Sequence, residues 1–349
     1  MSGGTLSNSG GSAGTPSNMY LIFTSSSATQ TITQSAGSIV SSATSAINWQ
    51  ISTTAAGKVQ LASNLNLGTA SGDFIVSPGA TLDFQTYQLS GTFATGKAFL
   101  CNSNVTGSGT LMTANAAGIN TSGATGSIIV TGTRTFNAPN LVYNGTVAQV
   151  TGNIIGNIRS LTINNVAGVT LSANCSMDAS GILTLTAGKL IVNSGGQLLL
   201  NNTSPAAVAS SSATSYMVTD LSTSFSSFQR AIPSTGLPAT FLFPVGTSGA
   251  YSPVSYTFSA NSAPMIIRMM VDPTSPPSLT GMTSYVANRY WYTDLMSGQS
   301  NTYTYTAQYN FVSGDVVGTI GNIRLGYLTT SWQLDAGSSA AGTTIQSGS

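Results

Sequence analysis

The sequence predicts an all-β protein, a parallel β-solenoid (β-helix) followed by an antiparallel β-sandwich. Three observations carry that expectation. Helix signals are missing: there is no Glu and little Lys, and no apolar spacing of i, i+3, i+4, i+7 is sustained. Short alternating segments closed by Gly or Asn fill the first two hundred residues, and longer, strictly alternating ones follow.

Residues 1–50 are rich in Ser, Thr and Gly and read as an N-terminal segment or solenoid cap, with strands expected at 20–23 and 46–51. Residues 51–205 carry the repeat, with strands expected near 59–61, 73–76, 81–84, 127–130 and 160–163. Strands this short need neighbours to be stable. Residues 59–67 (VQLASNLNL) and 169–177 (VTLSANCSM) share one apolar phase and put Asn64 and Asn174 in the same slot. Two copies of one rung suggest coils that bury each other's apolar sides. Both Asn residues read as corner positions, either bonded to the backbone of the adjacent coil or simply tolerant of a left-handed turn.

From about residue 206 Pro becomes frequent, and ten of the thirteen Tyr residues lie beyond that point. Residues 206–335 therefore read as a second domain. Its segments at 265–271, 285–295, 303–311, 323–328 and 332–334 alternate as half-buried strands of an antiparallel sandwich do. Residues 336–349 are small and polar and read as a linker-like tail.

Composition limits the chemistry. Charged residues make up 5% of the chain and the net charge is +1, against about a quarter charged in ordinary globular chains. No basic stripe is available for nucleic acid. No apolar stretch reaches the roughly 18 to 20 residues of a transmembrane helix.

His is absent, so no Ser-His-Asp or Cys-His arrangement exists and an enzyme is not expected. The eight Asp residues are dispersed. Asp73 and Asp83, closest in sequence, are the candidate pair for the two-carboxylate chemistry of glycoside hydrolysis, against solvated turn or edge positions. No metal spacing and no phosphate cradle are found, so no cofactor is expected. Cys101 and Cys175 read either as one bridge or as small buried apolar residues.

Aromatic residues remain the candidates for recognition. Tyr290, Trp291 and Tyr292 stand in a row, so one side of a strand presents a ring to a ligand or packs it into the core. Tyr303, Tyr305 and Tyr309 read as core. Arg230, Arg268, Arg289 and Arg324 all lie in the second domain, where a few of them are expected to pair with Asp272, Asp294 or Asp315 at the surface.

Several stretches carry a family resemblance. Residues 109–119 (GTLMTANAAGI), 123–137 (GATGSIIVTGTRTFN), 143–152 (YNGTVAQVTG), 161–171 (LTINNVAGVTL) and 183–190 (LTLTAGKL) resemble repeat regions of large secreted proteins of Bacteroidetes bacteria. Residues 243–247 (FPVGT) and 251–254 (YSPV) are similar to a segment that often follows such repeats. The resemblance covers roughly residues 105–260.

It implies export by the type IX secretion system and an adhesin-like or matrix-like role at the cell surface or outside the cell. The signal and sorting segments of that family are expected outside these residues. The expected function is a non-catalytic structural or adhesive surface protein, with the solenoid as spacer and the sandwich as contact module. Its expected partners are other surface or matrix proteins, or glycans. The alternatives are a self-assembling filament or sheath subunit and a carbohydrate-binding module of a secreted polysaccharide-active protein.

Overall fold

A computed structural model describes residues 5–7, 18–42, 45–54, 56–154, 156–192, 195–219, 225–274, 276, 288–328, 332–335 and 337–347. They form two compact units, Met1–Asp178 and Ala179–Ser349. Among the described residues secondary structure is mostly strand, with three short 3-10 turns. Among the described residues no helix is long and apolar enough to cross a membrane.

The first unit is a stack of parallel coils. One face pairs Met19–Phe23, Ile47–Ile51, Phe74–Val76, Ala98–Cys101 and Thr133–Phe136 in that order. A second pairs Thr29–Ile32, Lys58–Leu61, Thr81–Asp83, Thr110–Thr113, Asn140–Tyr143 and Leu161–Asn164. The third is shorter and broken. It joins Leu65–Ala70 to Leu89–Phe93 and Gln149–Val150 to Val169–Leu171, with single bridges at Ile128 and Thr131 between them.

Parallel register lays like on like, and every second residue points inward. Val59, Leu82, Leu111, Leu141 and Leu161 thereby form one buried ladder. Trp49, Phe74 and Phe99 form another, extended by Phe23 and Phe136 into a run of five rings. Successive centroids in that run lie 5.6 to 6.0 Å apart. A coil alone exposes its apolar side, so stacking is what holds this unit together.

Corners are tied by side-chain amides. Asn64 Oδ1 accepts the Gln88 N–H of the next coil at 3.0 Å, and Asn48 Oδ1 takes the Asp73 N–H at 3.0 Å. The adjacent-coil reading of Asn64 is thus the one observed. Inside another corner, buried Gln149 donates to Thr113 O and Asn115 O, and Asn165 donates to Gln149 Oε1. These groups are satisfied, so the interior amides stiffen the stack at little desolvation cost. Gly152, at φ +75°, passes so close to Ile119 that a Cβ there would lie 2.1 Å from its carbonyl oxygen.

The second unit begins with the same grammar. Gln197–Leu200 pairs in parallel with Ser227–Ile232, and Leu190–Val192, Met217–Val218 and Val245–Gly246 form another parallel row. Antiparallel sheets follow. Ser227–Ile232 also pairs antiparallel with Met265–Asp272, which pairs with Tyr290–Ser297. The opposing sheet runs Ala239–Phe243, Val254–Asn261, Tyr303–Asn310, Thr344–Gln346 and Ser339–Ala341.

The two sheets face each other across Phe228 and Phe243 at 5.8 Å, and across Trp291 and Tyr309 at 5.2 Å. Buried Arg230 lies between them. Its guanidinium donates to Leu242 O, Ser204 O and Pro205 O and covers the Phe241 ring at 5.2 Å. Burial lowers its pKa to about 10.

Several strands depart from expectation. The strand expected at 20–23 is observed as Met19–Phe23, whereas Thr29–Ile32, not foreseen, also pairs into the coils. Parallel pairing continues past residue 205 to Val245–Gly246, through strands of two residues that alternation cannot reveal. Residues 128 and 130 are buried as a strand would require, but 127–130 makes one isolated bridge, at Ile128.

Ile320–Asn322 is a 3-10 turn, which shortens the expected 323–328 strand to Gly326–Leu328. The expected strand at 285–295 is observed as Tyr290–Ser297, and 285–287 lie outside the described residues. Within 336–349, Ser339–Ala341 and Thr344–Gln346 form a hairpin, anchored by Ile345 against Phe311 and Ile323.

Candidate functional site

Tyr290, Trp291 and Tyr292 open the last strand of the Met265–Asp272 sheet. Strand geometry turns neighbouring side chains to opposite faces, and the structure follows it. Trp291 points into the sandwich, where its indole donates to Ser252 O at 3.0 Å and packs beside Phe311, Ile323 and Ile345. Tyr290 and Tyr292 point outward. The Tyr290 hydroxyl donates to Asp272 Oδ2 at 3.2 Å, and Tyr292 is 36% exposed.

Register builds the surroundings of Tyr292. Gln229, Arg268 and Asp294 sit opposite one another on three adjacent strands and share its face. Arg268 forms an ion pair with Asp294 and holds its guanidinium 5.7 Å from the Tyr292 ring centroid. Gln229 Nε2 donates to Gln197 Oε1 at 2.8 Å, which extends the row by one strand. Met270, on the same face, is fully covered.

Phe225 completes the face. It stands edge-on to Tyr292 at 6.3 Å, remains 54% exposed, and holds φ at +55°. A bulky non-glycine residue in that region is strained. The apolar ring in water and the strained backbone coincide at one position.

This row offers two rings, a guanidinium, a carboxylate and two amides. Such a set binds a ligand by stacking and by paired donors and acceptors. Sequence reading singled out Tyr292 but missed Phe225 and Arg268 as its neighbours. An aromatic in the Ser-rich stretch 222–228 was the signal for Phe225; the Arg268 contact depends on cross-strand register.

The remaining candidates have structural positions. Asp83 is fully buried, pairs with Lys58 Nζ at 2.7 Å, and accepts both the N–H and the side-chain amide of Gln85. Gln85 has φ +53°, so Asp83 holds a left-handed turn. Asp73 accepts the Ala98 N–H at 3.0 Å and lies 3.7 Å from Lys97. The two carboxylates thus serve different corners.

Arg289 meets Asp315 through two bonds, at 2.6 and 3.0 Å, in a nearly buried pair. Arg324 caps carbonyls of the turn beside it. Asp220, one of the dispersed carboxylates, lies outside the described residues.

Cys101 and Cys175 are free and buried, and burial pushes both thiols up to about 12. A thiol so shielded is a small apolar residue, not a nucleophile. Tyr309 packs as expected, but Tyr303 and Tyr305 are 37% and 39% exposed at the rim of the aromatic cluster. No group of three metal-ligating side chains occurs among the described residues. A groove at the first coils is lined by Leu21, Phe23, Ile32, Trp49 and Leu65 together with Thr31, Thr33 and Gln34.

Compared with protein-family models, with curated proteins and with solved structures, the chain matches none.

Proposed function

We propose that this chain is a non-catalytic extracellular surface protein, in which the coils form a stiff spacer and the C-terminal sheets carry the contact face. The observation that supports this reading best is a contrast. Asp73, Asp83 and Asp315 hold turns, backbone or a buried cation, whereas Phe225 and Tyr292 stand in solvent on one face. Binding, and not bond making, is what such a face supplies.

Its partners are surface or matrix proteins, or glycans, engaged through rings and amides with little help from charge. A surface of this kind makes contacts that depend weakly on salt. The resemblance of the repeats adds display on, or release from, a cell surface.

Adhesion of beads tests the proposal. Beads carrying the full chain are allowed to settle on surfaces coated with neutral polysaccharide, with matrix protein, or with neither. Retention on one coating, reduced at least tenfold by Phe225→Ala with Tyr292→Ala and little changed by 0.5 M salt, is the expected outcome. Equal retention on all three surfaces, or retention unaffected by the double substitution, refutes it. A glycan-only result narrows the module to carbohydrate binding.

A further inference from the structure

The Tyr290–Ser297 strand ends its sheet, and hydrogen-bond geometry fixes which of its groups look outward. The Ser227 N–H bonds back to Gly196 O. Phe228 and Arg230 therefore turn their main-chain groups the other way, toward Met269 and Ile267. In an antiparallel ladder the N–H and C=O groups switch sides at each residue. Arg268, Met270 and Asp272 must then face Asp294, Tyr292 and Tyr290, their partners in register.

That leaves Trp291, Thr293 and Leu295 with main-chain groups directed off the sheet. An independent bond agrees: Leu295 O accepts the side-chain amide of Gln299 at 2.7 Å. Thr293 is exposed even though its hydroxyl is bonded to Tyr256 inside the sandwich. Among the described residues, none pairs with the middle of this edge.

Open edges usually carry a Lys, a Pro or an inward charge that blocks pairing. Residues 290–297 contain neither Lys nor Pro, and their single charge, Asp294, is neutralised within the sheet by Arg268. The net charge of +1 leaves little long-range repulsion between copies.

We infer that this edge pairs with the same edge of a second copy, antiparallel about a two-fold axis at Thr293. Such an axis can fall on an outward-facing residue, as a hydrogen-bonded pair, or on an inward-facing one, as a non-hydrogen-bonded pair. Centres at 293 and 294 overlap most of Tyr290–Ser297, but the second would set Asp294 against its own copy, which leaves Thr293. Its register sets Trp291 against the partner's Leu295, and Tyr292 against the partner's Asp294. Like charges never meet across it. A self-complementary patch of this kind closes into a dimer and does not propagate.

Equilibrium sedimentation of the full chain, from 1 to 200 µM, reads the association. A dimer is expected, and Thr293→Pro, which removes an outward N–H at an edge where Pro is tolerated, is expected to raise the midpoint at least tenfold. Register is read by mixing two variants, Tyr292→Cys and Asp294→Cys. Non-hydrogen-bonded partners lie about 4.5 Å apart at Cα, within disulfide reach.

The mixture is expected to yield a cross-linked dimer under mild oxidation, and each variant alone much less. A monomer at every concentration overturns the inference. So does equal cross-linking by Tyr292→Cys alone. If Thr293→Pro alters the circular dichroism spectrum, the mixed-cysteine result decides by itself.

Discussion

Replacing Phe74 by Ala tests the ring stack at its centre. Phe74 is fully buried, with Trp49 at 5.9 Å on one side and Phe99 at 5.7 Å on the other. Truncation removes transfer free energy of about 2 kcal/mol. It also leaves a cavity of up to about 100 Å³, which adds about 2 kcal/mol at roughly 24 cal/mol per Å³.

The walls cannot collapse far, because the coils on either side are clamped by parallel main-chain ladders. The expected loss is therefore about 4 kcal/mol. Phe136, half-buried at the end of the run with one ring neighbour, is expected to lose about 1 to 2 kcal/mol on the same change. Urea unfolding by circular dichroism, with unfolding rates alongside, measures the difference. A Phe74→Ala loss within about 1 kcal/mol of the Phe136→Ala loss refutes the view that stacked rings hold the coils.

Stability is expected to hold to about pH 8.5 and then to fall as pH rises. Cys101 and Cys175 are pushed from 9.0 to about 12, and Tyr256 from 10.0 to about 12, so the unfolded chain loses these protons first. A urea midpoint unchanged between pH 8 and pH 11 contradicts this. Gly152→Ala should cost at least about 2 kcal/mol, through its positive φ and the Ile119 carbonyl in the way; a neutral result in thermal unfolding is inconsistent with the close coil approach. Asp83→Ala should cost about 2 to 3 kcal/mol, because it orphans the buried turn at Gln85, while bead retention per folded molecule stays unchanged. A loss of retention without a loss of stability gives Asp83 a role beyond its turn.

The order of layers was legible because inward residues alternate over short runs, as in the Val59–Leu82–Leu111 ladder. The coils beyond residue 205 were not, since Met217–Val218 and Val245–Gly246 are too short to alternate. Composition marked a change at 206, whereas pairing changes at Ser227–Ile232, a strand parallel to one neighbour and antiparallel to the other. At the site, period-two geometry separates Trp291 from Tyr292, but only cross-strand register brings Arg268 under the ring. Tyr303 and Tyr305 illustrate the same limit: alternation assigns a face, and the neighbouring sheet decides whether that face is covered.

Trp49, Phe74 and Phe99 recur at intervals of 25 residues in matching register. A segment that begins and ends at equivalent points of such a cycle is interchangeable with any other that does so. Duplicating residues 50–74 would lengthen the column by one storey, about 4.8 Å, and leave every other storey's neighbours in kind unchanged. The height of this column is therefore a property that recombination within the gene can adjust in fixed increments, with the residues of the other storeys kept as they are.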